Sequence, residues 1–275
     1  MSTSTGQLLD QSLRSRALVR DMRLHIYLPP LYGQFELRYP VLYLLHPWGE
    51  DEHYWAQALD LAHSADHLIH AGAVPPFVAV MPQGDKSFFL DAADPGGDFT
   101  PMMRLDPQYF AGALEGYGDY GSYLIHDVIP FVEKELLVRG SRASRAVAGV
   151  EMGATGAAAL AFTHPDMFCA VGIHSPLLFS KTRLGPPWIF GLSDDASFAP
   201  RSPLHLARHL APSVPPRIYL DCTQADESAE EVHALHIALD VRKIPHTYQR
   251  WDGDGGPAAW QTHLAEYLGF YAAGW

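Results

Sequence analysis

Residues 145–164 read RAVAGVEMGATGAAALAFTH, and the reading of this stretch decides the fold. An apolar run ends at Ala148, the chain turns through Gly149-Val150-Glu151-Met152-Gly153, and a small-residue helix pattern runs from Ala154 to Phe162. A buried strand therefore enters a sharp turn and leaves it as a helix. The flanking glycines have a steric reason. The central residue, Glu151, is held at strained φ/ψ, and a Cβ on either side would strike the neighbouring strand and helix.

Working outward, YPVLYLLH (39–46) is a near-continuous apolar run, the pattern of a strand buried on both faces of a parallel sheet. Phe77 to Met81 is a second such strand, ended by Pro82. Met167 to His174, Arg217 to Cys222 and His246 to Trp251 continue the series. Helical periodicity falls between them, over Tyr54–Ala71, Tyr120–Val138, Glu227–Arg242 and Trp260–Tyr271. Pro130 is placed to kink the second of these helices or to open a new first turn. Before all of this, Ala17–Arg20 and Met22–Leu28 alternate like an antiparallel strand pair. Alternating strands and helices predict an α/β fold, a mostly parallel central sheet with helices on both faces.

The chain has 275 residues, 48% of them hydrophobic, which fits one large α/β domain spanning 1–275. Two stretches, about 83–118 and 176–215, keep no period and are rich in Gly, Pro and aromatics; they are expected to form cap-like insertions over the sheet. A net charge of −12 argues against nucleic acid or an anionic membrane as partner. No run of 18 apolar residues is present, and the N-terminal segment has no apolar h-region, so a cytoplasmic protein is expected. Cys169 and Cys222 lie in apolar strand-like runs and read as buried free thiols. The 15 histidines are scattered singly without ligand spacing, so no metal is assigned from the sequence.

Taken in order, RYPVLYLLH with WGEDEHYW, VMPQGDKSFF, YGSYLIHDVIPFVE, RAVAGVEMGATGAAALAFTHPDMF, IYLDCTQADE and the Trp260 region resemble the putative-esterase family of α/β hydrolases. That family includes S-formylglutathione hydrolase (esterase D), feruloyl esterase and mycolyltransferase, and the resemblance covers roughly residues 12–270. It implies an α/β-hydrolase fold with a nucleophile elbow at 149–153. It implies a Ser-His-Asp triad, and here the sequence departs from the pattern. The nucleophile position falls on Glu151, and the His position, in a Gly-x-His-x-x-x-x-Trp run, falls on Gly255. The acid position falls on Asp226, which is retained. The oxyanion hole is expected to use the backbone N–H of Met152 and one from the loop after His46. Pro47 stands where the family has Gly and has no N–H, which leaves Trp48 as the second donor.

A carboxylate at the elbow is a poor substitute for a serine alkoxide, because attack on an ester would give an anhydride. Loss of either Ser or His alone removes most of the rate in such a unit. The leading expectation is an esterase homologue with impaired catalysis, acting by ligand binding or as a structural subunit. The second is an active carboxylic-ester hydrolase with a rearranged, Glu151-dependent mechanism. That mechanism needs a base, and His46 and His174, expected to border the pocket with Pro47, Asp254 and Trp260, are the candidates; His263 lies one helix turn too far. Three carboxylates near one floor, Glu151, Asp226 and Asp254, admit two bolder readings, a hard-cation site or paired-carboxylate acid/base chemistry. The resemblance implies no cofactor, a small acyl, aryl or sugar ligand, and self-association into a homo-oligomer.

Overall fold

A computed structural model describes residues 4–93, 116–180, 183, 185–191, 195–211 and 215–275. Its first two strands, β1 (Gln7–Arg14) and β2 (Asp21–Leu28), form an antiparallel hairpin. They lead into β3 (Val41–Leu45), β4 (Val78–Pro82), β5 (Arg145–Val150), β6 (Ala170–His174), β7 (Arg217–Thr223) and β8 (His246–Trp251). The described residues thus make an eight-stranded sheet in the order β1-β2-β4-β3-β5-β6-β7-β8, antiparallel over the first three strands and parallel beyond.

Alternate side chains of the parallel strands feed two different cores. On β3, Val41, Tyr43 and Leu45 join one apolar cluster while Leu42 and Leu44 join the other. The helices complete these layers. Helices α1 (Tyr54–Gln57) and α2 (Leu61–His70) cover one face together with α7 (Pro257–Ala272). The other face is covered by α3 (Ile129–Glu135), α4 (Met152–Thr163), α5 (Pro203–His209) and α6 (Ala229–Val241). Two-sided burial is why these strands read as unbroken apolar runs.

The register places the functional end of the molecule. Leu45 pairs with Gly149, Val150 with His174, and His174 with Asp221. The parallel strands therefore end together, and the segments after β3, β5, β6, β7 and β8 leave from one edge. Ligands of open α/β sheets bind at that edge.

Several element boundaries differ from the sequence expectation. Ala17–Arg20 belongs to the hairpin connection, and the strand that pairs with β2 is the earlier Gln7–Arg14. That strand is a largely exposed edge, so QLLDQSLR carries little apolar signal. The helix expected over 54–71 is split at Asp60, whose φ of 52° breaks the helical path between α1 and α2. The helix expected over 120–138 stops at Glu135, and Tyr123–Val128 is wound as a π-helix just before Pro130. Proline lacks the amide that would close an ordinary turn there, and the extra residue absorbs the mismatch. Most of the first cap-like stretch, 94–115, lies outside the described residues, as do 181–182, 184, 192–194 and 212–214 of the second. The rest of the second stretch contains a short helix Pro187–Phe190 and α5. Cys222 is buried and Cys169 half-buried, both as free thiols.

Candidate active site

The turn between β5 and α4 puts Glu151 at φ 54°, ψ −112°. No ordinary L-residue relaxes there, so the surroundings must hold it. They do so through the backbone: the Glu151 N–H donates to the His174 carbonyl at 2.9 Å, and its own carbonyl accepts from Leu177 N–H at 3.2 Å. The two turn glycines make room. A Cβ at Gly149 would overlap the Gly153 backbone, and one at Gly153 would sit 2.7 Å from the His46 carbonyl oxygen.

The Glu151 side chain does not point free into solvent. Its Oε2 accepts from the Trp48 N–H at 2.6 Å, and the adjacent Met152 amide also favours its charged form. Both are amides expected to form the oxyanion hole, so the carboxylate at the nucleophile position is turned toward the hole and bonded to one of its donors. Pro47, beside Trp48, contributes no donor but places its carbonyl 2.8 Å from His46 Nδ1. Burial is the main influence on the Glu151 carboxyl and pushes it above its usual range, against the two amides. Nearby Glu227 and Glu50 push it in the same direction. Glu227 and Glu50 are thus acidic neighbours of Glu151 that the sequence alone does not single out. Asp254 lies exposed on the loop after β8. Among the described residues, the His, Cys, Asp and Glu groups whose ligand atoms converge do not include Glu151.

Asp226 follows β7, and its carboxylate is fully engaged with the chain that carries it. Oδ2 accepts from the Thr223 N–H at 2.8 Å and Oδ1 from the Thr223 hydroxyl at 2.9 Å. Gly255 lies against it, at φ +74°; a Cβ there would be 2.7 Å from Asp226 Oδ1. The His position and the acid position are thus neighbours, with no imidazole between them.

Among the described residues no histidine takes that place from elsewhere. His46 is buried, its Nδ1–H donating to the Pro47 carbonyl and its Nε2 accepting the Gly84 N–H at 2.9 Å. Burial lowers its affinity for a proton, which suits this fixed neutral tautomer. His174 is enclosed in the sheet, with Nδ1 on Asp221 Oδ2 at 2.9 Å, Nε2 on the Tyr271 hydroxyl, and its ring stacked 3.7 Å from Tyr267. Both therefore act as internal struts, which corrects the expectation of a substitute base. His263, half-buried on α7, stacks 3.8 Å from the Trp251 ring of β8. Trp260 packs edge-on to Tyr54 and donates its indole N–H to the Ser175 hydroxyl at 3.1 Å.

Sequence reasoning pointed to the aromatic-rich insertion that holds Phe88 but missed its partners Phe179 and Phe190. Trp48 packs 5.5 Å from Phe88, and Phe88 meets Phe179 and Phe190 edge-on at 5.5 and 5.3 Å. The loop that brings Phe88 takes positive φ at Phe88 (57°) and Phe89 (52°), and a Cβ at Gly156 on α4 would run into its backbone. The signal available was only the doublet of aromatics after Ser87. Tyr54, also missed, is held protonated by burial and by the Glu50 and Glu151 carboxylates.

Comparisons with known proteins agree with this architecture. The model of the family described as "Putative esterase" matches residues 15–271. A curated relative, an endo-1,4-beta-xylanase/feruloyl esterase of Xylanibacter ruminicola, is 31% identical over 167 residues, 59% of this chain. The match spans only 20% of that relative's own length. Among solved structures, a ferulic acid esterase superposes with a TM-score of 0.80 at 22% identity, over 99% of this chain and 100% of that one. An S-formylglutathione hydrolase from Agrobacterium tumefaciens gives 0.78 at 17% identity, over 100% and 97%. The fold is that of the α/β-hydrolase esterases, and with a family match that runs from the first hairpin to the last helix, this chain belongs to the "Putative esterase" family.

Proposed function

We propose that this chain is an esterase-family protein without serine-hydrolase turnover, which binds a small acyl or aryl ligand. One observation carries the reading: the Trp48 amide, one of the two that would stabilise an oxyanion, is bonded to the Glu151 carboxylate at 2.6 Å. An anion already at the hole opposes a second one forming there, so the largest electrostatic contribution to acyl transfer is lost. Absence of an imidazole beside Asp226 removes the general base as well. Trp48 and Phe179, half-buried against the buried Phe88 and Phe190, would give an aryl group its apolar contact. Relatives named as feruloyl and ferulic acid esterases make a hydroxycinnamoyl group the first ligand to try. Among the described residues no helix is long and apolar enough to cross a membrane, and a cytoplasmic setting is part of the proposal.

The test is hydrolysis of p-nitrophenyl acetate and methyl ferulate by the wild-type chain beside Glu151→Ala. Rates for both proteins at the uncatalysed background support the reading. A second reading, a Glu151-dependent hydrolase, has one observation in its favour, the raised carboxyl in a partly enclosed site. Wild-type turnover that disappears in Glu151→Ala would establish the second reading and end the first.

A further inference from the structure

The structure brings together three side chains that sequence spacing keeps far apart. Asp10 on β1 and His25 on β2 are direct partners in the antiparallel register. His53 reaches them from the loop that joins β3 to α1. One oxygen, Asp10 Oδ1, lies 2.7 Å from His25 Nδ1 and 3.0 Å from His53 Nε2. The two imidazole rings are 4.6 Å apart, tilted by 47°. All three ligand atoms fall within 4.8 Å of one another.

We propose that Asp10, His25 and His53 form a binding site for a borderline divalent transition ion, zinc foremost. The donor set, two imidazole nitrogens and a carboxylate, suits zinc and leaves one position open to solvent. Ligands held about 2.0–2.1 Å from a tetrahedral ion stand about 3.3 Å apart, so Asp10 would shift slightly outward and the two imidazole nitrogens, already within 4.8 Å, would close on the ion. Asp10 can make that shift, because its side chain is 75% exposed. His25, by contrast, is buried and fixed in the sheet, and supplies the rigid ligand.

A second observation points the same way. With Nε2 of His53 facing Asp10, its Nδ1 faces away, 3.4 Å from Asp51 Oδ1 and 3.6 Å from Glu52 Oε1. Glu52 is itself buried and paired with Arg23. A carboxylate behind a ligating imidazole fixes its tautomer and strengthens it as a donor, the usual outer-shell arrangement of a metal-bound histidine. The site also has a structural consequence. His53 closes the segment that starts at His46 and carries the Trp48 amide, so an ion would tie the β1–β2 edge to the loop that grips Glu151. It stands independently of whether Glu151 is catalytic.

Isothermal titration of the metal-free full chain with zinc chloride tests this, alongside Asp10→Ala, His53→Ala and His246→Ala. The last variant controls for the other histidine group, where His236 and His246 bond to each other at 2.8 Å. One equivalent of zinc should bind to wild type and His246→Ala, with affinity lowered at least tenfold in Asp10→Ala and His53→Ala. Asp51→Asn should weaken it by about tenfold through the outer shell. A hundredfold excess of zinc over its Kd should raise the wild-type Tm by about 5 °C or more. Asp10 is exposed and His53 is on a loop, so both variants should fold, which circular dichroism checks. Failure of zinc to bind wild type, or binding unchanged in Asp10→Ala and His53→Ala, overturns the proposal.

Discussion

At the scale of single residues, Glu151 is held by two opposing influences. Two amides favour its charged form, while burial and the carboxylates of Glu227 and Glu50 oppose it, and burial dominates. Its carboxyl is thus raised in the folded chain relative to the unfolded one. Such a group favours the fold fully below the unfolded value, and that favour is lost as pH rises through the folded value. Glu151→Gln keeps an oxygen for the Trp48 and Met152 amides without the charge. Its Tm should therefore exceed that of wild type at pH 7.5, and the gap should narrow on acidification and close below about pH 4. Thermal melts across that range check it; a variant less stable at pH 7.5 would show that the charge-assisted bonds outweigh burial. Gly255 sets a second residue-scale expectation. At φ +74° and with Asp226 Oδ1 in its path, Gly255→Ala should cost about 1–2 kcal/mol in chemical denaturation. Restoring a histidine there would meet the same obstacle, so Glu151→Ser with Gly255→His should remain far slower than a serine esterase.

At the scale of elements, the elbow depends on how closely α4 approaches β3. Gly153 sits where a Cβ would press on the carbonyls of Leu45 and His46, both backbone atoms that cannot swing aside. Gly153→Ala should therefore destabilise the chain by about 2–3 kcal/mol and lower Tm by roughly 5–10 °C. Gly269, inside α7, has nothing within 4 Å of the same hypothetical atom. Gly269→Ala should raise stability by about 0.5–1 kcal/mol, because the unfolded chain loses freedom and the helix loses nothing. Opposite signs for one substitution in two helices would tie the cost at Gly153 to close approach and not to glycine in general. The elbow was legible from sequence because strand, turn glycines and small-residue helix are all local. So were the buried strands, since two-sided burial writes itself as apolar runs. The π-wound segment before Pro130 and the break at Asp60 were not, because tertiary packing decides whether such a helix continues, kinks or stops. The destination of the Glu151 carboxylate was not legible in the local sequence. Its partner Trp48 comes from 103 residues away, and only the sheet register brings them together.

At the scale of the molecule, the sheet is anchored in its middle and loose at its hairpin edge. β3, β4, β5 and β6 are buried at every position, whereas β1 is exposed at most of its residues. The convergence of Asp10, His25 and His53 at that edge escaped the sequence because residues 15 and 28 apart meet only through the hairpin and the loop before α1. Local opening free energies follow such gradients, from near zero at exposed edges to the global value in the core. Hydrogen exchange should accordingly be slowest in β3, β5 and β6, with β1 exchanging first among the strands. An ion at Asp10, His25 and His53 would cross-link β1 to the β3–α1 loop, so zinc should slow exchange in residues 7–14 and 48–53 while leaving β5 and β6 at their former rates. The comparison is internal to one protein, because the core strands report global stability and the edge reports local opening. Uniform slowing of every strand would mean that zinc stabilises the whole fold without a local clasp. Slowing confined to the edge and the Trp48 loop would place the ion where the geometry puts it.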